Sequence, residues 1–136
     1  MAVTYEWRGA FANDELDALH AEAFGEPSGA DWRALAERHS LGWVVARDGE
    51  TLAGFANVLW DGRTHAWLQD VMVASAYRRR GAGTALVAAA RDGAAAAGCA
   101  WLHVDYDAEH EPFYAACGFA PARAGLLSLG STPRPR

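Results

Sequence analysis

The sequence predicts a single α/β domain with a mixed, mainly antiparallel sheet of about six strands flanked by about four helices. Strand-like and helix-like segments take turns along the chain, which is typical of a layered α/β domain. Three consecutive strand-like runs are joined by tight turns at Asp48-Gly49 and Asp61-Gly62, so they are expected to form an antiparallel meander. A long helical segment joins the fourth strand to the fifth, so those two strands are expected to run parallel.

The N-terminal third of the chain contains one strand and two helices. Val3–Arg8 alternates and is rich in β-branched and aromatic residues, which favours a strand. Asn13 or Asp14 caps the first helix, which ends at Gly25-Glu26-Pro27. A second, short helix covers Asp31–His39 and begins at a capping aspartate.

The rest of the chain supplies three meander strands, a long helix, a fifth strand, a short helix and a last strand. In that order they cover Leu41–Arg47, Thr51–Trp60, His65–Ala74, Thr84–Ala97, Cys99–Tyr106, Glu109–Cys117 and Ala122–Leu129. Gly98 and Gly118 stand where helix C-caps favour glycine. Residues 1–130 are predicted to form the domain and residues 131–136, STPRPR, a flexible tail.

Composition excludes several classes of function. The chain has 136 residues, 51% of them hydrophobic, which is enough for one core. The count of 12 Lys+Arg against 17 Asp+Glu gives a net charge of −5, which disfavours nucleic acid as a partner. All twelve basic residues are Arg, so a Lys Schiff base and the lysine of a Walker loop are excluded.

The sequence also predicts the surroundings of the protein. It shows neither a signal-peptide pattern nor an apolar stretch of membrane-spanning length, so we expect a cytoplasmic protein with no membrane partner. Cys99 and Cys117 are expected to be reduced core thiols. The histidines and nearby acids lack metal-ligand spacing, which predicts no metal.

The segment from the end of the fourth strand into the long helix carries the clearest functional signal. Glycines there let main-chain N–H groups approach an anion, and the helix N-terminus adds partial positive charge. Three consecutive arginines supply side chains suited to phosphate. The third glycine of a dinucleotide fingerprint is missing, since Leu86 stands in its place. The residues expected to bind a pyrophosphate are Arg78, Arg79, Arg80, Gly81, Ala82, Gly83 and Thr84.

Two motifs in this order resemble the GNAT superfamily of acyl-CoA N-acyltransferases. Arg78–Gly83 is similar to the family's Q/R-x-x-G-x-G/A loop, and Phe113–Phe119 is similar to its F-Y-x-x-x-G-F signature. The resemblance spans residues 41–129 and implies a sheet splayed between strands 4 and 5. It implies that the loop holds the pyrophosphate of acetyl-CoA. The main chain of Val71, Met72 and Val73 would pair with the pantetheine arm and polarise the thioester carbonyl.

The same resemblance implies catalytic roles. Tyr114, in the second motif, would protonate the departing thiolate of coenzyme A. The family often has an Asn where this chain has Asp107, and a basic Glu on the fifth strand where this chain has His103. Imidazole exchanges protons near neutral pH, so His103 could remove the proton of an ammonium substrate. Asp70, on the fourth strand, is the competing base or amine-binding carboxylate.

The resemblance to this superfamily implies an N-acetyltransferase that moves the acetyl group of acetyl-CoA to a primary amine by direct attack. The acceptor would be a small-molecule or protein amine. A noncatalytic acyl-CoA-binding sensor or partner module of the same fold is an alternative, and an unrelated nucleotide-binding domain is a more distant one. The apolar run Leu126–Leu129 could pair across a homodimer.

Overall fold

A computed structural model of the protein describes residues 2–130. The chain divides into two compact units, Met1–Val104 and Asp105–Arg136. The first unit contains the strands β1 Val3–Trp7, β2 Ser40–Asp48, β3 Thr51–Trp60, β4 His65–Val73 and β5 Trp101–Val104, and the helices α1 Asn13–Phe24, α2 Trp32–His39 and α3 Ala82–Ala96. The second unit contains the helix α4, Glu111–Ala116.

The five strands form one sheet in the order β1-β2-β3-β4-β5. Neighbours from β1 to β4 are antiparallel, whereas β5 is parallel to β4, as the sequence predicts. The parallel pairing joins His65–Leu68 to Trp101–Val104 and goes no further. The second half of β4 therefore extends past the last residue of β5, in agreement with a sheet that is splayed between these two strands.

A β-bulge interrupts β4 in its second half. Phe55 pairs with Met72 but Asn57 pairs with Gln69, so Asp70 and the residue after it stand opposite a single residue of β3. Asp70 takes a left-handed conformation with φ 52°, which Asp tolerates better than most residues. Because side chains alternate along a strand, this extra residue reverses which face of the sheet each later side chain occupies.

The sheet is covered on both faces. On one face, side chains of β2, β3 and β4 pack against α1 and α2 in a cluster that includes Leu16, Leu19, Val45, Phe55 and Met72. On the other face lies α3, which contacts β1 to β4 and buries Leu86, Val87, Ala90 and Ala94. Leu68 is opposite Val58, whereas Met72 is opposite Phe55, so the bulge puts these two buried β4 residues on opposite faces.

The small-residue face of α3 lets one tryptophan fit between helix and sheet. A Cβ built on Gly93 would lie 2.4 Å from the nearest ring atom of Trp7, and one on Gly42 would lie 2.1 Å from the same ring. The indole of Trp7 therefore contacts the backbone of α3 at one glycine and that of β2 at the other. This packing explains why a helix-weakening glycine stands in the middle of α3.

One predicted strand is not formed, and the bounds of several other predicted elements are wrong. The last strand predicted at Ala122–Leu129 is not formed among residues 2–130, and the sheet has five strands instead of about six. A strand needs a paired neighbour, and this segment has none among the described residues, with Leu127 and Leu129 81% and 88% exposed. The N-cap of α1 is Ala12 instead of Asn13 or Asp14, and β5 ends two residues early at Val104.

The tail predicted at 131–136 lies outside the described residues, so the domain boundary at residue 130 stays a prediction. Within residues 2–130, no helix combines the length and the apolar character needed to cross a membrane.

Candidate active site

The predicted anion-binding loop connects β4 to α3. A short 3₁₀ turn at Ser75–Tyr77 precedes it, and α3 begins directly after Gly81. Arg79 and Gly81 are both left-handed, with φ 62° and φ 80°, so the chain turns sharply twice within three residues. Turns with left-handed residues beside a helix N-terminus can bring main-chain N–H groups to one side, as in anion-binding nests.

The first turn of α3 leaves main-chain donors available. The first intrahelical hydrogen bond is made by the N–H of Ala85 to the oxygen of Gly81, 3.0 Å away. The N–H groups of Ala82, Gly83 and Thr84 precede that bond and have no carbonyl of their own helix to pair with. The N-cap Gly81 carries no side chain that could cap them. This end of the helix thus combines available donors with the positive end of the helix dipole.

The loop is also tied back to β4. The Nε of Arg78 donates to the main-chain oxygen of Val73 at 3.1 Å, so the first arginine lies against the end of the strand. Arg79 and Arg80 are exposed. The carboxylate of Glu22, on α1, accepts from the N–H of Ser75. Hydrogen bonding from the Ser75 side chain first, and from this N–H second, holds the pKa of Glu22 below its usual value. The loop is therefore braced by the strand before it and by α1.

The strand segment Val71–Val73 lies directly after the bulge. Its residues pair with β3 through Gly54 and Phe55, while β5 ends before it in register. Because β4 has no neighbour from β5 at this level, the edge of Val71–Val73 that faces away from β3 lacks a strand partner within the first unit. Gly54 permits close approach on the α3 side, since a Cβ there would lie 2.9 Å from both Leu86 Cδ1 and the oxygen of Met72.

The structure pairs His103 with a second histidine that the sequence gave no reason to choose. Nε2 of His103 lies 2.7 Å from Nδ1 of His65, and the ring of His103 stacks on that of Trp67 with centroids 4.9 Å apart. His103 and Trp67 are direct partners across β5 and β4. Leu68 faces α3, and its neighbour Trp67, which is paired with Leu59, must point to the other face because side chains alternate along a strand. The histidines and Trp67 therefore lie on the sheet face that carries α1 and α2.

Asp70 has a structural role that the sequence did not indicate. It stands at the bulge in a left-handed conformation, so its backbone shapes the strand just before the Val71–Val73 segment. A conformation that few residue types accept accounts for Asp at this position without a catalytic role. Its role as a base stays a prediction.

Tyr114 belongs to the second unit, where it sits in an aromatic group. Its ring stacks on Tyr106 at 5.3 Å and meets Phe113 and Phe119 edge-on at 4.9 and 5.7 Å. Burial raises the pKa of Tyr114, and the neighbouring thiol of Cys117 raises it further. A phenol in this setting keeps its proton over the neutral range, which is what a proton donor requires.

Asp17 organises the connection between α1 and α2, which the sequence did not reveal. Its Oδ1 accepts from the main-chain N–H of Ser28 at 2.8 Å and from Nε1 of Trp32 at 3.2 Å, and Gly29 N–H also donates to this carboxylate. These bonds, the one from Ser28 first, hold the pKa of Asp17 below its usual value. From the sequence alone, an acidic residue in an amphipathic helix is expected to face solvent. The hydrogen bonds that Asp17 accepts from the loop are visible only in the folded structure.

Two other features lie apart from the loop. A cleft of about 420 Å³ opens beside β2 and α2, and Phe11, Trp43 and the Glu15–Arg47 pair contribute to its lining, whereas no residue of 78–84 does.

Asp107, Glu109 and His110 form an exposed group in the second unit whose ligand atoms lie within 4.8 Å of one another. Exposed acids of this kind are common without a metal, and the absence of a metal site stays a prediction.

The sheet with one parallel edge, the bulged fourth strand and the glycine loop at a helix N-terminus agree with the acetyltransferase fold that the two sequence motifs imply. Residues 5–119 match the acetyltransferase (GNAT) family, and the chain belongs to that family. A search of curated protein sequences gives no match.

Solved structures agree on the fold. A probable acetyltransferase from methicillin-resistant Staphylococcus aureus superposes with a TM-score of 0.78 at 18% identity, over 96% of this chain and all of its own. Glucosamine-6-phosphate N-acetyltransferase from Arabidopsis thaliana gives 0.72 at 19% identity, over 94% of this chain and 99% of its own. The aminoglycoside N-acetyltransferase AAC(6')-Iy, in complex with a bisubstrate analogue containing CoA, gives 0.74 at 17% identity, over 97% and 100%.

Proposed function

We propose that this protein transfers the acetyl group of acetyl-CoA to a primary amine by direct attack of the amine on the thioester. The observation that carries the proposal is the continuous path from the bulge of β4 through the arginine and glycine loop to the N-terminus of α3. This path offers an open strand edge followed by an anion-binding turn. A thioester arm and a pyrophosphate need these two environments in this order.

The pyrophosphate of acetyl-CoA binds at residues 78–84. The N–H groups of the first turn of α3 donate to its oxygens, and the guanidinium groups of Arg79 and Arg80 balance its charge. Arg78 keeps its hydrogen bond to Val73 and so links this anion site to the end of β4.

The pantetheine arm pairs with the main chain of Val71–Val73. An N–H of this segment hydrogen-bonds the thioester carbonyl oxygen, and the bond strengthens as negative charge develops on that oxygen during attack. Main-chain groups bind the pantetheine arm and the thioester carbonyl, so the apolar side chains of Val71, Met72 and Val73 are compatible with this role.

Two proton transfers accompany the attack. His103 removes a proton from the ammonium form of the acceptor, because a neutral amine is the nucleophile. Tyr114 donates its phenolic proton to the sulfur as the C–S bond breaks, so coenzyme A leaves as a thiol. The nitrogen of the new amide then gives up its extra proton to the phenolate, which restores Tyr114. Asp70 is the competing base, and replacing it by Asn separates the two assignments because Asn also accepts the left-handed conformation.

An amine is the acceptor class that the surroundings favour. The stacked face of Trp67 and His103 and the net charge of −5 both suit a cation. Two fold relatives are named as N-acetyltransferases of aminoglycosides and of glucosamine-6-phosphate, which are amines of very different charge. The acceptor of this protein is therefore proposed only as a primary amine, small or protein-borne.

A thermal melt with and without acetyl-CoA, with ATP and NAD as controls, tests cofactor binding. Ligand at about 100 times its Kd adds roughly 2.7 kcal/mol of stability, which shifts the Tm of a domain of this size by several degrees. A shift with acetyl-CoA alone supports the proposal, and an amine screen by thiol release then tests turnover. A shift without turnover on any amine would favour a noncatalytic acyl-CoA-binding module, and a shift with a nucleotide alone would overturn the proposal.

A further inference from the structure

His65 and His103 form a hydrogen-bonded pair across the two parallel strands. Nδ1 of His65 and Nε2 of His103 lie 2.7 Å apart, and the ring centroids lie 5.0 Å apart. At this separation one of the two nitrogens must carry a proton and the other must accept it, since two lone pairs or two N–H groups facing each other would repel. The outer nitrogens of the pair are Nε2 of His65 and Nδ1 of His103.

The two rings of the pair differ in their exposure and in their distance from Trp67. His103 is exposed and its ring lies nearly parallel to Trp67, at 17° and 4.9 Å, whereas His65 is half-buried and lies 6.2 Å from the same indole. An imidazolium is stabilised both by solvent and by the face of an indole. Asp61 is an acid that interacts with His65, and its Oδ1 already accepts from the main-chain N–H groups of Arg63, Thr64 and His65.

We propose that His65 is a positioning residue, which accepts the hydrogen bond from Nε2–H of His103 and leaves the Nδ1 lone pair of His103 to take the acceptor's proton. The inference rests on the proposed function, in which His103 is the base. An N–H bond of the ammonium breaks, its electron pair stays on the amine nitrogen, and the proton bonds to Nδ1 of His103. The Nε2–H to Nδ1 bond keeps its direction throughout, so no ring has to turn, and it becomes charge-assisted.

The position of His103 suits this task. It is next to the last residue of β5, and the pairing of β4 with β5 ends one residue later at Leu68 and Val104. His103 therefore stands where the two strands stop pairing, on the edge of β4 that leads to Val71–Val73. A histidine with a rotating ring would hold Nδ1 in any one orientation only part of the time, and the bond to His65 removes that freedom.

Nitrogen-15 NMR of the full chain tests the pair without any substrate. We expect a scalar coupling across the N–H···N bond, with the proton assigned to Nε2 of His103. If the proton resides on Nδ1 of His65, Nδ1 of His103 carries the remaining proton of a neutral ring and cannot act as the base, which overturns the proposal. Absence of the coupling in folded protein also overturns it.

Kinetics of three variants test the consequence. His65→Phe keeps a flat ring beside Trp67 but no acceptor, and we expect kcat to fall at least about tenfold with KM for acetyl-CoA unchanged. His65→Asn puts an amide oxygen near the place of Nδ1 and should recover most of that loss. His39→Gln, on the exposed end of α2, serves as the control and should match the wild type.

The outcomes separate this proposal from the proposed function. Wild-type kcat in His65→Phe, or equal losses in His65→Phe and His65→Asn, would assign His65 to packing alone and overturn the inference. Failure of acetyl-CoA to shift the melting temperature would instead count against the proposed function, whatever the NMR shows about the pair.

Discussion

The Nε of Arg78 donates to the main-chain oxygen of Val73 across 3.1 Å, so the first of three consecutive arginines is bonded to the last residue of β4. This bond fixes the start of the loop relative to the strand edge where the proposed thioester arm lies. All three arginines are exposed, but Arg78 is bonded to the strand, whereas Arg79 and Arg80 stand between it and the N-terminus of α3.

Removing Arg79 and Arg80 should weaken cofactor binding. Arg79→Ala combined with Arg80→Ala is expected to raise the Kd for acetyl-CoA roughly tenfold at low salt, because charge-assisted contacts to the pyrophosphate are lost. The difference from wild type should shrink at 1 M salt, where exposed charges are screened. Calorimetric titration measures both. Arg63→Ala, in the turn before β4, is the matched control, and an equal loss in that variant would refute a specific role for the loop.

Tyr114 can be tested by removing one oxygen. Tyr114→Phe keeps the ring contacts with Tyr106, Phe113 and Phe119, so stability and acetyl-CoA binding should persist. Turnover, followed by thiol release, should fall by roughly 10²-fold. Because the pKa of Tyr114 is raised, its deprotonation should limit activity only above the ordinary tyrosine range. Tyr106→Phe is the control, and unchanged turnover in Tyr114→Phe would end the assignment of the general acid.

The identity of the base can be read from pH–rate profiles of two variants. With His103→Ala we expect kcat/KM to lose its acidic limb as well as most of its magnitude, because the group that must be deprotonated is gone. Asp70→Asn keeps a residue that accepts φ near 52° and should retain the limb. The reverse pattern would make Asp70 the base.

Gly93 offers a stability test in which helix propensity and packing oppose each other. In an exposed helix Gly→Ala stabilises by up to about 1 kcal/mol. Here the new Cβ would lie 2.4 Å from the Trp7 ring, so we expect Gly93→Ala to destabilise by roughly 1–3 kcal/mol in urea unfolding. Pairing it with Trp7→Leu should reduce that cost, and additive effects in the double variant would show that the two residues do not interact.

Acid stability should depend on the ion pair between α1 and β2. Arg47 binds both oxygens of Glu15, at 2.5 and 2.7 Å, and this bond holds the pKa of Glu15 below its usual value. Its contribution, about 1 kcal/mol, is therefore complete above the unfolded-state pKa and is lost as pH falls through the lower folded-state value. Glu15→Gln should lower the free energy of unfolding at pH 7 and have little effect near pH 2. An equal effect at both values would contradict this account.

Much of this fold could be predicted from the sequence because the deciding signals are local. The Asp48-Gly49 turn sets the register of β2 against β3, and the glycine loop locates the start of α3 to within two residues. The last predicted strand failed because residues 122–129 have strand-like composition, but a strand also needs a neighbour that composition does not supply. The His65–His103 pair could not be predicted for a similar reason. The two residues are 38 positions apart and are brought together only by the register of β4 with β5.

The bulge at Asp70 divides β4 into two halves that follow opposite patterns of alternation between the two faces of the sheet. Before it, odd-numbered residues such as Trp67 look towards α1 and α2; after it, the even-numbered Met72 does. A single-residue deletion at this point would move the side chains of half of the strand to the opposite face of the sheet. Substitutions in the first half of β4 can therefore change the side chains beside His103 without moving the main chain of Val71–Val73, whereas shortening the strand would alter both halves at once.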